Sequence, residues 1–324
     1  MTDRLIYANT RAITKETTLF SKERLSRMIE TENLDSAVKI LYEVGYGGGI
    51  ALSSPYLFEE LLAEEERRAN AFLNEVTQSG FGLECFSLKN DYHNAKVLLK
   101  ASRMNIDGGF MTMPEGVYPF EKLKAILLEG KKGINPYLDQ AMAVIERLEA
   151  EGKLIPRHID TLIDKALFED IAERLKKVKD KAVKEYFKAL SDCTNLLSML
   201  RVKRIGEKPA FLEDCFVCGG SISLHDLTAL LDKEEGDVKK ALGAFGYPEL
   251  QKFPDNFSEL EAAIDNYLIK IFKERASDVH SAAPLISYYL QKLNEIKMIR
   301  IVLVCLKNKV NIKEINKRMR VIYA

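Results

Sequence analysis

Apolar residues recur along this chain at spacings of three and four, and that period constrains the fold more than any single motif. In Phe58–Val76 the apolar positions are 58, 61, 62, 69, 72, 73 and 76, with acids falling between them. This is the pattern of an amphipathic helix with a buried stripe and a solvated acidic face. The same period predicts helices over 139–148, 159–189, 257–275 and 283–305, whereas the β-branched alternation of strands is scarce. Pro136 lies just before one helix, Pro284 suits the first turn of another, and Ser258 is placed to cap a third. Glycine and proline cluster between the helical blocks, at 45–49, 108–116, 130–136, 206–220 and 243–254. An all-α fold follows.

Composition narrows the partners. The chain has 324 residues, 47% hydrophobic and 30% charged, enough to bury real cores and too apolar for a disordered polymer. Its 48 basic and 48 acidic residues cancel, so it lacks the basic excess that marks nucleic-acid and anionic-lipid binders. No nucleic-acid partner is expected. The cancellation hides a separation, because Lys292 to Ala324 holds nine basic residues against Glu295 and Glu314, a local sum of +7 that leaves −7 elsewhere. Glu59, Glu60, Glu64, Glu65 and Glu66 form an acidic block that reads as a solvated helix face. The N-terminus carries Asp3 and no apolar block of signal-peptide length, which predicts a cytoplasmic protein. The longest strongly apolar stretch, Ile301-Val-Leu-Val-Cys-Leu306, is far short of the about 20 residues that cross a bilayer, so no transmembrane segment is expected.

Motifs for chemistry are sparse. Cys215-Phe-Val-Cys218 supplies two soft ligands where structural zinc takes four, and only His225 follows nearby. The favoured reading is buried or half-buried thiols in a loop, with a small zinc or thiol enzyme built on Cys215, Cys218 and His225 as an alternative. The glycines Gly47, Gly48 and Gly49 are followed by no Gly-Lys-Ser/Thr, so nucleotide binding is not expected there. His-Glu-x-x-His, Gly-x-Ser-x-Gly and a Walker lysine are all missing. The expectation is a protein without catalytic residues, cofactor or metal.

Self-similarity is more informative. Asn90-Asp-Tyr-His-Asn-Ala-Lys-Val-Leu-Leu-Lys100 overlays Ser191-Asp-Cys-Thr-Asn-Leu-Leu-Ser-Met-Leu-Arg201 at an offset of 101, matching Asp91 with Asp192, Asn94 with Asn195 and Lys100 with Arg201. A third segment, from Leu293 to Leu303, fits at an offset of 102 with Met298 and Ile299 over Leu196 and Leu197. Downstream, Gly116-Val-Tyr-Pro-Phe-Glu-Lys-Leu123 resembles Gly220-Ser-Ile-Ser-Leu-His-Asp-Leu227, and the segments ending at Gly45-Tyr46 and Gly246-Tyr247 correspond across two periods. A period near 100 implies three related helical modules, at 1–110, 111–212 and 213–324, with N-terminal helices free to pack on the last. Three such modules fit a pseudo-threefold axis and a funnel or cup. Lys100 with Arg201 and Arg103 with Arg204 are then expected in equivalent places on two modules.

At these residues the chain resembles the C subunit of the archaeal and bacterial V/A-type rotary ATPases, the relative of the d subunit of eukaryotic V-ATPases. Asn90 to Ala101 is similar to that family's first-module helix, Asp192 to Gly206 to its second, and Glu295-Ile-Lys-Met-Ile-Arg-Ile-Val302 to its third, with Met298 where Asn is usual. The closing Ile312-Lys-Glu-Ile-Asn-Lys-Arg-Met-Arg-Val-Ile-Tyr323 also matches. The resemblance implies a non-enzymatic helical funnel, present in one copy at the cytoplasmic face of the membrane. It would sit on the membrane rotor ring, built of the c/K protein, and receive the foot of the central shaft, formed by the D and F subunits. Torque would pass through it between the ATP-handling head and the ring that carries protons or sodium ions. Lys297 and Arg300, with Lys100, Arg103, Arg201 and Arg204, are then candidates for interface or inter-helix ion pairs. The competing reading is a generic helical scaffold that binds a protein partner in its concavity.

Overall fold

The computed structural model describes residues 2–31, 33–76, 81–114, 116–129, 133, 135–252, 257–311 and 315. These form fourteen α-helices and, among the described residues, no strand. In chain order they are α1 (Thr2–Glu16), α2 (Lys22–Ile29), α3 (Leu34–Glu43), α4 (Phe58–Val76), α5 (Glu84–Met104), α6 (Phe120–Glu129), α7 (Pro136–Ala150), α8 (Pro156–Leu175), α9 (Lys181–Ile205), α10 (Pro209–Cys215), α11 (Leu224–Ala229), α12 (Glu235–Ala244), α13 (Phe257–Lys273) and α14 (Ala283–Lys307). The chain divides into two compact units, one of residues 1–78 with 247–324 and the other of residues 79–246.

In the first unit α14 is the spine. It is apolar on nearly every side, so it must run through the interior rather than along the surface. It packs against α1, α2, α3, α4 and α13. Phe58, Leu61 and Leu62 of α4 meet Met28, Leu41, Met298, Ile299 and Val302 in one core, where each large apolar side chain contributes about 1.5–3 kcal/mol on leaving water. The short helices that flank the spine begin on side-chain caps: Arg24 N donates to Ser21 Oγ at 3.3 Å and Ser36 N to Asn33 Oδ1 at 2.9 Å.

Two expectations are adjusted. The single helical run expected over 159–189 is broken between α8 and α9. Asp180 draws the N–H groups of Ala182 and Val183 to one carboxylate oxygen and restarts the helix. Val178, buried in the gap, packs on Gly82, where an added Cβ would lie 2.6 Å from its methyl. α13 runs from Phe257, so Ser258 lies inside its first turn instead of capping it.

In the second unit α5 packs on α6 and α8, α7 on α8, and α9 on α8, α10 and α11. Phe86 of α5 meets Tyr186 and Phe187 of α9 with ring centroids 5.1 and 4.8 Å apart. The segments matched at an offset of 101 fold alike. Asp91, buried on α5, accepts the backbone N–H groups of Gly116 at 3.1 Å, Val117 at 2.7 Å and Tyr118 at 3.4 Å. Asp192, buried on α9, accepts Ser221 N and Ile222 N, each at 2.8 Å, and the Ser221 hydroxyl at 2.7 Å. One turn later, Asn94 clamps both backbone groups of Met113, and Asn195 clamps both of Val217. The helix ends also agree. Asn105 (φ 51°) and Gly206 (φ 69°) are left-handed caps, followed by Ile106 N donating to Ala101 O and Glu207 N to Val202 O, both at 3.1 Å.

The matched glycines are what let these loops close on the carboxylates. A Cβ at Gly116 would overlap Ser87 O and sit 2.6 Å from Asp91 Oδ2, and one at Gly220 would overlap Asp192 Oδ1. Gly116→Ala and Gly220→Ala are each expected to lower stability by about 1–3 kcal/mol in urea unfolding. Burial pushes the Asp91 carboxyl up to about 6, against the three N–H groups that pull it down. An unfolded aspartate titrates at about 3.9. Between about pH 4 and 6 folding therefore takes up a proton, and stability rises as pH falls through that window. Asp91→Asn should flatten the slope of stability against pH there, as read from urea midpoints.

Candidate functional site

The strongest concentration of buried charge lies in the first unit. Lys292 of α14, 8% exposed, sends its ammonium to Glu295 Oε1 at 2.6 Å and to Glu65 Oε2 of α4 at 2.7 Å. Both carboxylates are more deeply buried, Glu65 at 5% and Glu295 at 3% exposure. Their remaining oxygens hold backbone: Phe20 N donates to Glu295 Oε2 at 2.6 Å and Gly47 N to Glu65 Oε1 at 3.0 Å, the latter oxygen also taking Arg68 Nη1 at 2.6 Å. The ammonium stands 4.5 Å from the centroid of the Tyr46 ring. Next to this network lies a polar cavity of about 270 Å³, lined in part by Lys15, Thr18, Arg68 and Tyr288.

The turn Tyr46–Gly49 exists to make this contact. Gly47 and Gly48 adopt φ of 76° and 63°, conformations open to glycine, and a Cβ on Gly47 would overlap the Leu61 side chain. The glycine run is thus a close approach of backbone to α4. Burial opposes the charge on Lys292, but the carboxylates of Glu295 and Glu65 outweigh it and raise its pKa above the ordinary lysine value. Burial raises the Glu295 carboxyl despite the pull of Lys292, and burial with the same carboxylates holds the Tyr46 phenol well above its usual range.

The acidic block reads in sequence as a solvated face, and Glu65 is the exception. Its position, three residues past Leu62 and four before Ala69, lies on the apolar stripe of α4. The helical period therefore carries the signal for Glu65, and the charge of the residue masks it. Lys292 sits at the end of a stretch of α14, residues 283–292, in which every residue is buried, so no period marks one position there.

The sequence-derived candidates fall into both units. In the second, Lys100 Nζ pairs with Asp160 Oδ1 at 2.6 Å, and Arg103 reaches Glu149 Oε2 at 2.6 Å and Leu99 O at 3.0 Å. These two line one groove of about 520 Å³ with Met104, Leu154, Ile155, Pro156 and Ile159. Arg201 and Arg204 hold the matching positions on the last turns of α9, where both are exposed. The backbone settings of the pairs agree, while Lys100 and Arg103 are half-buried in the groove and their counterparts are not. In the first unit Lys297 Nζ pairs with Asp265 Oδ2 of α13 at 2.6 Å, and Arg300 Nε with Glu59 Oε2 of α4 at 3.0 Å. Both are inter-helix ion pairs. Cys215 is half-buried and Cys218 exposed, and burial raises both thiols, which disfavours the thiolates that metal or redox chemistry needs. Among the described residues no group of three or more His, Cys, Asp or Glu is arranged to hold a metal ion. Nor is any described helix long and apolar enough to cross a membrane.

With the helical fold, the duplicated loop clamps and the buried ion network described, comparison with known proteins shows the family. The model of the ATP synthase (C/AC39) subunit family matches residues 8–318, and the chain belongs to that family. It is 23% identical over 316 residues to the C subunit of the V-type sodium ATPase of Enterococcus hirae, covering 95% of this chain and 96% of that one. It is 23% identical to the C subunit of the A-type ATP synthase of Thermococcus onnurineus, covering 91% of this chain and 84% of that one. To the C subunit of the A-type ATP synthase of Pyrococcus furiosus it is 24% identical, with 95% and 89% covered.

Removing one partner of a buried ion network leaves the others uncompensated. Lys292→Met is expected to cost about 3–5 kcal/mol at neutral pH in chemical unfolding. With the ammonium gone, Glu295 keeps the burial that raises its carboxyl and loses the charge that opposes it, so it takes up a proton on folding more readily and the variant should recover part of that loss as pH falls from 7 to 5. A loss that is the same at both pH values would show that the carboxylates do not depend on Lys292.

Proposed function

We propose that this chain is the non-catalytic central-stalk subunit of a V/A-type rotary ATPase, a socket that joins the shaft of the D and F subunits to the membrane rotor ring. It passes torque between the head that handles ATP and the ring that carries protons or sodium ions. The observation that carries this reading is the family match over residues 8–318, together with relatives named as C subunits that align over nearly their whole length. Of the three modules proposed at 1–110, 111–212 and 213–324 about a pseudo-threefold axis, the relation between the first two is supported by Asp91, Asn94 and Gly116 recurring as Asp192, Asn195 and Gly220 in like roles. One copy per complex suffices, because such a chain already presents a near-symmetric face to a ring. In this reading the chain lies on the cytoplasmic side and meets the membrane only through the ring.

Tagged at its N-terminus in its native cell, the chain should be recovered from solubilised membranes with shaft and ring subunits. Deleting it should leave ATP hydrolysis by the detached head while abolishing ATP-driven ion uptake into membrane vesicles. Full coupling without the chain would overturn the proposal.

A further inference from the structure

One end of the second unit gathers apolar side chains that nothing within the unit covers. Met104 at the tip of α5 is 68% exposed and Ile205 at the matched tip of α9 is 62% exposed. Ile106, in the turn after α5, and Ile155, just before α8, are 47% and 43% exposed. Single exposed hydrophobes are ordinary, but four on one end form a patch, and patches of this kind mark contact surfaces. Met104 and Ile155 line the same groove of about 520 Å³, a volume that accepts several side chains. At the start of α8, Arg157 bridges to the α9 tip, 4.0 Å from Glu207 and stacked 4.1 Å from the Phe211 ring centroid.

The charge around the patch is mixed in sign, but the acids have partners: Glu207 lies 4.0 Å from Arg157, and Asp107 accepts Gly109 N at 2.9 Å. Lys100 and Arg103 are already neutralised by Asp160 and Glu149. Arg204 and Lys208 flank Ile205, are exposed, and form no ion pair among the described residues. An exposed apolar groove with unpaired cations on the neighbouring α9 tip, which Arg157 joins to the start of α8, is complementary to a chain that offers apolar side chains and carboxylates together. The recurrence at two helix tips adds weight: the pattern basic, two residues, basic, apolar, left-handed cap appears at 100–105 and again at 201–206, with the apolar member exposed both times.

We propose that this end of the second unit is a docking surface for an acidic protein segment with an apolar face. The apolar residues enter the groove between the α5 tip and the start of α8, and the carboxylates meet Arg204 and Lys208. A lipid surface fits less well, because the apolar atoms line a concave groove and the chain as a whole carries no net charge. The proposal stands on the chemistry of this surface and does not depend on the rotor reading.

The test uses the purified full chain and three probes: a short amphipathic helical peptide of leucine and glutamate, the same peptide with lysine for glutamate, and phosphatidylserine vesicles. The glutamate peptide should bind, more weakly as salt rises, and the lysine peptide should bind at least about tenfold more weakly. Met104→Ser with Ile205→Ser, and separately Arg204→Glu with Lys208→Glu, should each weaken the glutamate peptide about tenfold. Leu128→Ser, at an exposed site on α6, should leave it unchanged. The substituted side chains are all exposed, so unaltered thermal unfolding of every variant is the check on folding. No binding of the glutamate peptide, equal binding of both peptides, or variants without effect would each overturn the proposal. Vesicles that compete the peptide off would overturn it in favour of a lipid surface.

Discussion

Lys292 organises the first unit because a lysine ammonium is costly to bury alone, so every group around it must be placed to answer its charge. Two carboxylates do so, one from its own helix and one from α4, and neither stops at the ammonium. Glu295 also holds the backbone at Phe20, between α1 and α2, and Glu65 holds it at Gly47, after α3. One charge thereby fixes two helices and two turns. The gain is in register more than in free energy, since a well-packed apolar replacement of a buried ion network is often as stable. Register is what this spine would otherwise lack. A helix apolar on almost every face can rotate or slide among apolar neighbours at modest cost, whereas an ammonium held within hydrogen-bonding distance of two carboxylates permits one setting.

The second unit solves a related problem with carboxylates that face backbone. Asp91 gathers the N–H groups of the loop between α5 and α6 and Asp192 those of the loop between α10 and α11, and Asn94 and Asn195 take both backbone groups of a residue just upstream. Backbone in a buried loop must find partners, and a helix-borne Asp and Asn one turn apart supply them at a fixed height on the helix. This explains why Gly116 and Gly220 accompany the acids. The loop backbone must come within reach of a carboxylate that is already inside, and a Cβ would occupy that space.

Much of this is legible without coordinates. The helical period locates α4 at both of its ends and finds α13 and α14 to within two residues, because amphipathic helices write their burial into the spacing of apolar side chains. The match of Asp91, Asn94 and Gly116 with Asp192, Asn195 and Gly220 is visible as a repeat, though its physical content as loop clamps is not, since sequence does not show which backbone a side chain meets. The break at 176–180 is hidden because Asp180 looks like one more charge in a lysine-rich stretch until its carboxylate is seen on the N–H groups of Ala182 and Val183. Glu65 is masked by its company among four other acids, and Lys292 by a preceding stretch of α14, residues 283–291, that is buried on every side and offers no solvated face against which to stand out.

The two devices share a property that apolar packing lacks. Dispersion contacts keep much of their energy when one helix shifts slightly against another, because each lost neighbour is replaced by a similar one. Hydrogen bonds and close ion pairs weaken steeply with distance and angle, and a displaced partner inside a core finds no water to take its place. Glu65, Asp91, Asp192 and Glu295 are all fully inside, so shear along α4, α5, α9 or α14 would expose a desolvated charge within a short displacement. The load-carrying role proposed above calls for this resistance to sliding more than for depth of free energy. Polar locks at the middle of long apolar helices provide it.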